Sequence, residues 1–561
     1  MRMKTSILVS SIFLIAFQIT HGSDDKIASV PANQMRQITI AHPYLRLPIK
    51  NDGPRRHLTI FADGKANPGI EIQLADGTPD WWAWKDVSAW QGKEITLQTD
   101  HLPEGSSALR AISQADKISQ PTDLYHEPLR PQFHFSSRRG WLNDPNGLVF
   151  YRGEYHLFYQ HNPYGCDDTG DNMHWGHAVS KDLVHWEELG DVLYPDELGP
   201  MWSGSAVVDR NNDSGFGKDG QPPLLLFYTA AEHPTTQCMA YSLDGRTFTK
   251  YADNPVVKQI TEGNRDPKVF WHEPSKKWVM AMYVGQSTDT VHFLNSTDLR
   301  KWTDKGYIPF TPECPDLFEL PVDGNAQNKK WVLTSASSNY RVGKFSGTMF
   351  TPETPQLRGH SGDVSYAAQT YNDAPDGRRI HIGWLRASSP GMPFNQEMSI
   401  PIELKLVTTP EGPRLTWTPL EELKTLRSKT WHIEPLTLNP GDSNPLADIH
   451  GELLELRTKF SPQEAQEVRF NVRGASVVYD TITQELLVNN GISAKAPLRE
   501  GTQEITIYLD RTSIEVFADG GLVYIPQAFI PKPEDTTIGV TVQGGAVKIE
   551  NLDVHQLQSA W

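Results

Sequence analysis

Cysteine is scarce in this 561-residue chain, which has only Cys166, Cys238 and Cys314. At most one disulfide can form, and no spacing fits a zinc ligand set, so the fold has to stand on its core. Beyond the first residues there is no stretch of 18 uninterrupted apolar residues, which excludes an ordinary membrane-spanning helix there. Positive charge is also short. Lys and Arg number 52 against 68 Asp and Glu, for a formal net charge of −16. A surface of that sign disfavours nucleic acid and anionic lipid as partners and is indifferent to uncharged ligands.

What is present is globular. Hydrophobic residues make up 38% and charged residues 21%, and the length fits two or three domains. The sixteen Trp and eighteen Tyr suit β cores first and ring-shaped ligands second. The start reads as an export signal: Arg2 and Lys4, an apolar run from about Ile7 to Phe17, then the small-residue site Thr20-His21-Gly22. Removal of residues 1–22 is expected, with release to the periplasm or the cell exterior. No Cys stands at the cleavage point to carry a lipid anchor.

The middle of the chain repeats. Ser180-Lys-Asp-Leu-Val-His-Trp186 returns as Ser296-Thr-Asp-Leu-Arg-Lys-Trp302, with a weaker copy at Ser242-Leu-Asp-Gly-Arg-Thr-Phe248. A spacing of roughly 60 residues built of short strands indicates propeller blades. Five times an acidic or polar entry precedes a strand, a turn and a strand: 147–159, 205–229, 267–283, 316–335 and 366–384. The expectation is all-β: a five-bladed β-propeller over 125–415, a small β domain over 24–120, and a β-sandwich over 431–561. A linker is expected at 117–131 and a short helix at 419–426.

Carboxylates recur at matching register. Asp144 sits in Trp141-Leu-Asn-Asp-Pro-Asn-Gly147, Asp266 in Asn264-Arg-Asp-Pro267, and Glu313 in Glu313-Cys-Pro-Asp316. Each precedes the first strand of its unit, and first strands line a propeller's channel, so the three should share one pocket. Singly, an Asp-Pro pair is a turn. Three in register suit glycosidic cleavage, which needs a proton donor and a second carboxylate on the opposite face.

These motifs resemble the family 32 glycoside hydrolases, the invertases, inulinases and levanases. The likeness runs from about Arg130 to Leu404. It includes Phe158-Tyr-Gln-His-Asn-Pro163, His174-Trp-Gly-His-Ala-Val-Ser180, Trp202-Ser-Gly-Ser-Ala206 and Met392-Pro-Phe-Asn-Gln396, with Ser513-Ile-Glu-Val-Phe-Ala-Asp519 in the sandwich. The resemblance implies a retaining β-fructofuranosidase acting on fructan or sucrose without metal or cofactor. Asp144 matches the nucleophile, Glu313 the general acid and base, and Asp266 the carboxylate that stabilises the transition state. Asn143, Gln160, Trp202 and Ser203 match fructose-binding positions. Arg265 is suited to orienting the carboxylates, and Tyr366 and Trp384 to hydroxyl and stacking contacts. Cys314 is read as tuning the acid's pocket, and His174 and His177 as a structural motif in preference to a metal pair.

The loop 164–173 departs from many relatives in lacking a Trp. The N-terminal domain resembles an extra module before some bacterial fructan hydrolases. Its Trp81, Trp82, Trp84 and Trp90 are read first as packing against the propeller and second as a sugar-binding face. Met392-Pro-Phe-Asn-Gln-Glu397 favours exo-acting fructanases, with endo cleavage or fructosyl transfer as alternatives using the same three carboxylates. A fructan-binding lectin would have lost at least one of them. An arabinan-acting propeller would not carry the surrounding motifs. The pattern specifies no oligomeric state.

Overall fold

The computed structural model describes residues 34–285, 287–362, 364–489 and 491–561; the expected export signal lies outside them. Strands dominate throughout. Two small sheets come first, one of five strands and one of three. Alternation decides their burial: in Arg56–Ala62, Leu58, Ile60 and Ala62 point inward while the residues between them are partly exposed. Leu45, Leu47, Ile49 and Leu97 complete that core.

Five four-stranded blades follow. The first is Gly140–Tyr151, Glu154–Asn162, His174–Ser180 and Trp186–Leu193, paired antiparallel in order. The fifth combines Ser365–Thr370 and Ile380–Leu385 with Ile402–Thr409 and Gly412–Pro419. The expected helix at 419–426 is a 3-10 turn, Glu421–Leu426.

The repeated Ser-x-Asp motif is a turn between third and fourth strands. Ser180 Oγ accepts the Leu183 N–H, and Asp182 Oδ1 accepts those of Val184 and His185. Ser242 with Asp244, and Ser296 with Asp298, do the same. The residue after the Asp in each turn needs a positive φ: Gly245 supplies it freely at +69°, whereas Leu183 (+67°) and Leu299 (+61°) are held there by those bonds.

First strands line the axis. Gly140–Tyr151 packs on Met201–Val208, which packs on Gly263–His272, and Ser365–Thr370 closes back on Gly140–Tyr151. One end of the axis is filled by polar ties. Buried Lys268 donates to Asp316 Oδ2 (3.2 Å) and to the Thr370 carbonyl (2.6 Å). Asn372 Nδ2 bonds the carbonyls of Ala206 and Val269. Losing one member of the buried Lys268–Asp316 pair costs about 3–5 kcal/mol, because the other charge is stranded.

The C-terminal sandwich packs a seven-stranded sheet on a five-stranded one around Phe460, Phe470, Tyr479 and Val516. A second cluster, including Trp417, Tyr508, Phe517 and Tyr524, joins it to the propeller. Across this interface buried His134 bridges Asp510 (2.9 Å) and Glu515 (2.8 Å).

Candidate active site

At the open end of the axis, four of the five first strands carry a β-bulge. Asn143 and Asp144 together oppose Gln160; Ser203 is extra between Trp202 and Gly204. Asp266 and Pro267 oppose Met282, and Ala367 and Ala368 oppose Gly383. A bulge frees residues from the ladder and turns side chains off the sheet, here toward the axis. Pro145 and Pro267 follow the two Asp residues, where a missing N–H suits the broken ladder. In the fourth blade the same end is the turn Glu313-Cys314 ahead of strand Asp316–Val322. Asp266 (φ +59°), Glu313 (+65°) and Cys314 (+42°) all hold left-handed backbone, strain that the surrounding bonds must balance.

The three carboxylates meet. Cys314 Sγ lies 3.6 Å from both Asp144 Oδ2 and Asp266 Oδ2, and the Cys314 N–H donates to Asp266 Oδ2 at 3.0 Å. Ser203 Oγ donates to Asp144 Oδ2 (2.6 Å) and Asn143 Nδ2 to Asp144 Oδ1 (3.1 Å). Arg265 Nη2 donates to Glu313 Oε1 (2.6 Å), its Nε is 3.7 Å from Asp266, and Tyr366 OH donates to Glu313 Oε2 (2.8 Å). Glu313 is a third exposed, whereas Asp266 is buried.

Electrostatics separate the groups. Burial, reinforced by Asp144 and Glu313, pushes Asp266 up to about 7 against the pull of Arg265 and the Cys314 N–H. Burial also raises Asp144, and the bonds from Ser203 and Asn143 oppose it. The Cys314 thiol is driven far up by burial and the surrounding carboxylates, so it stays protonated as a donor and is no nucleophile.

The remaining positions surround this centre. Gln160 is buried and its Nε2 has no partner among the described residues. Trp202 Nε1 donates to the Gly170 carbonyl (3.2 Å). Trp384 Nε1 donates to Gln396 (3.1 Å), its ring stands edge-on to Trp141 and Tyr366, and Arg386 covers Tyr366 at 4.1 Å. His174 and His177 part company: one bonds the Asn172 carbonyl, the other stacks on Phe158 and bonds His156.

Sequence reasoning missed Thr229, whose Oγ1 accepts the Asp266 N–H (3.0 Å), and Trp141, which fixes the Asn143 amide (3.1 Å). It also missed the grip of the N-terminal domain on the site's rim. Asn172 trades two hydrogen bonds with the Glu71 backbone, and Arg55 holds Asp167. Asn51 links Trp81 to the Met392 carbonyl. Trp81 is therefore a buried residue of its own domain, while Trp90 is partly exposed and packs against the edge of the same core.

The glycosyl hydrolases family 32 N-terminal domain matches residues 134–419, and the family's C-terminal domain matches 422–556. The chain belongs to glycosyl hydrolase family 32. It is 41% identical over 492 residues to a levanase of Bacillus subtilis, covering 78% of this chain and 72% of that one. It is 32% identical over 527 residues to an extracellular exo-inulinase of Aspergillus ficuum, covering 78% and 96%. The crystal structure of an exo-inulinase from Aspergillus awamori superposes with a TM-score of 0.71 at 30% identity, over 78% of this chain and all of the other. This family 32 glycosidase thus has a β-propeller catalytic domain and a C-terminal β-sandwich, preceded by two sheets outside the family match.

Proposed function

We propose that the protein is an exported, retaining exo-fructanase that releases terminal β-D-fructofuranosyl units from levan or inulin, with sucrose as a further substrate. The observation that carries the reading is the convergence of Asp144, Asp266 and Glu313 around Cys314 and Arg265. The similar levanase and extracellular exo-inulinase support the substrate class and the export.

Asp144 attacks the anomeric carbon, and the bond from that carbon to the leaving oxygen breaks as Glu313 gives that oxygen its proton. Glu313, now a carboxylate, takes a proton from water. The water oxygen bonds to the anomeric carbon and Asp144 leaves as carboxylate. Ser203 and Asn143 hold Asp144 in place by their bonds to its two oxygens. Arg265 and Tyr366 grip Glu313 from two sides and fix its aim. Asp266, with Gln160, is placed to bind sugar hydroxyls and steady the positive charge that develops on the ring.

The test is product analysis on levan, inulin and sucrose beside Asp144→Asn and Glu313→Gln controls. Fructose as the sole early product, with rates about 10²–10⁴-fold lower in both variants, is the expected result. Oligosaccharides appearing first would contradict exo-hydrolysis, and no release from any substrate would contradict the whole reading.

A further inference from the structure

A cleft of about 1180 Å³ separates the N-terminal sheets from the first blade. One wall is the outward face of the three-stranded sheet, where Tyr44, Arg46, Trp82 and Trp84 are all partly exposed. Alternation along Trp81–Asp86 sends Trp81 and Ala83 inward and Trp82 and Trp84 outward, and the register sets Arg46 opposite Trp84. The facing wall is the outer strand of the first blade and the turn after it, with Tyr194 49% exposed. The linker closes one side through Ile118, itself 45% exposed.

Packing alone does not account for this face. The Arg46 guanidinium lies 3.9 Å over the Trp82 ring and 5.8 Å from that of Trp84. It makes no hydrogen bond or ion pair among the described residues, and its Nε is buried without a partner. A buried N–H left unpaired is costly unless a ligand satisfies it. Aromatic rings beside a forked donor and carboxylate acceptors suit a neutral polyhydroxyl chain, whose C–H faces pack on rings and whose hydroxyls both give and take hydrogen bonds. Asp86, Asp171 and Asp191 also line the walls, and acidic side chains outnumber basic ones there, which disfavours an anionic ligand.

One edge of the cleft adjoins segments that touch Trp202 and Trp384. Its rim includes Asp171, Asn172 and the turn Gly391–Pro393. The neighbouring residues of those same segments touch the substrate platform: the Gly170 carbonyl accepts Trp202 Nε1, and Gln396 accepts Trp384 Nε1.

We propose that this cleft is a second binding site for the β-fructan chain, holding units remote from the one being cleaved. The inference rests on the fructanase reading above. Two linked contacts on one polymer raise its effective concentration at the catalytic pocket, an advantage a disaccharide does not share.

The test uses the full-length chain carrying Asp144→Asn, alone and combined with Trp84→Ala or Arg46→Gln, titrated with levan, inulin and sucrose. Expected is roughly tenfold weaker binding of at least one long fructan in both combined variants, with sucrose affinity and melting temperature unchanged. In active enzyme the same substitutions raise KM for the polymer by that factor and leave kcat as it was. Should Trp84→Ala lower the melting temperature, Arg46→Gln decides. Polymer binding unchanged in Arg46→Gln overturns the proposal, as does an equal loss for polymer and sucrose. The fructanase reading fails separately, when the unsubstituted enzyme releases no fructose; the titrations still report on the cleft.

Discussion

Cys314 donates its backbone N–H to Asp266 Oδ2 at 3.0 Å, and both residues hold left-handed backbone to do so. The turn before the fourth blade is thereby fastened to the bulge of the third. The bond partly offsets the burial of a carboxyl group that sits beside two others.

That burial has a pH signature. Asp266 is raised to about 7, above its value in the unfolded chain, so the folded state binds the extra proton between the two. Stability from this group is greatest at low pH and falls as pH rises through about 4 to 7. Asp266→Asn removes the penalty. The variant should be inactive, yet gain roughly 1–3 kcal/mol over the parent at pH 8, with little gain near pH 4. Urea unfolding at the two pH values checks it; an equal difference at both would contradict the assignment.

The thiol between the two Asp carboxylates should act as a donor only. Iodoacetamide at neutral pH should leave Cys314 and Cys238 unmodified in the folded enzyme and label both after denaturation, read by mass spectrometry. Cys314→Ser keeps a donor and most of the activity. Cys314→Ala removes it and lowers kcat/KM by about tenfold.

Asn172 ties the rim to the N-terminal domain. Its side-chain amide donates to the Glu71 carbonyl (2.6 Å) and accepts the Glu71 N–H (2.9 Å), two residues from the Gly170 carbonyl that orients Trp202. Asn172→Ala should cost about 1–3 kcal/mol in stability and raise KM more than it lowers kcat, because a binding surface loosens while the reacting groups stay. Unchanged KM on every substrate would remove Asn172 from this role.

Much of this was legible in the sequence, for physical reasons. The Ser-x-Asp turn repeats because the first three blades reverse the chain with the same capped geometry. The three carboxylates stand out because each enters an axial strand. The bulges are not legible, since a bulge exists only in how two strands register. Alternation along the strand already puts Trp82 and Trp84 on one side; that the opposite side, with Trp81 and Ala83, is the buried one shows only in the structure. The loop 164–173 without its Trp gave no hint that Arg55, Glu71 and Asn51 of a preceding domain hold the rim together. Such contacts span about a hundred residues or more and leave no local pattern.

The most direct test of the central claim is to catch the fructosyl-enzyme. Glu313→Gln, mixed with a β-fructofuranoside whose leaving group needs no proton, forms the covalent intermediate but lacks the base that hydrolyses it. After acid quench and proteolysis, mass spectrometry should find one fructosyl group on the peptide containing Asp144 and none on those with Asp266 or position 313. A label on a different carboxylate, or leaving-group release with no adduct at any time, would contradict the account.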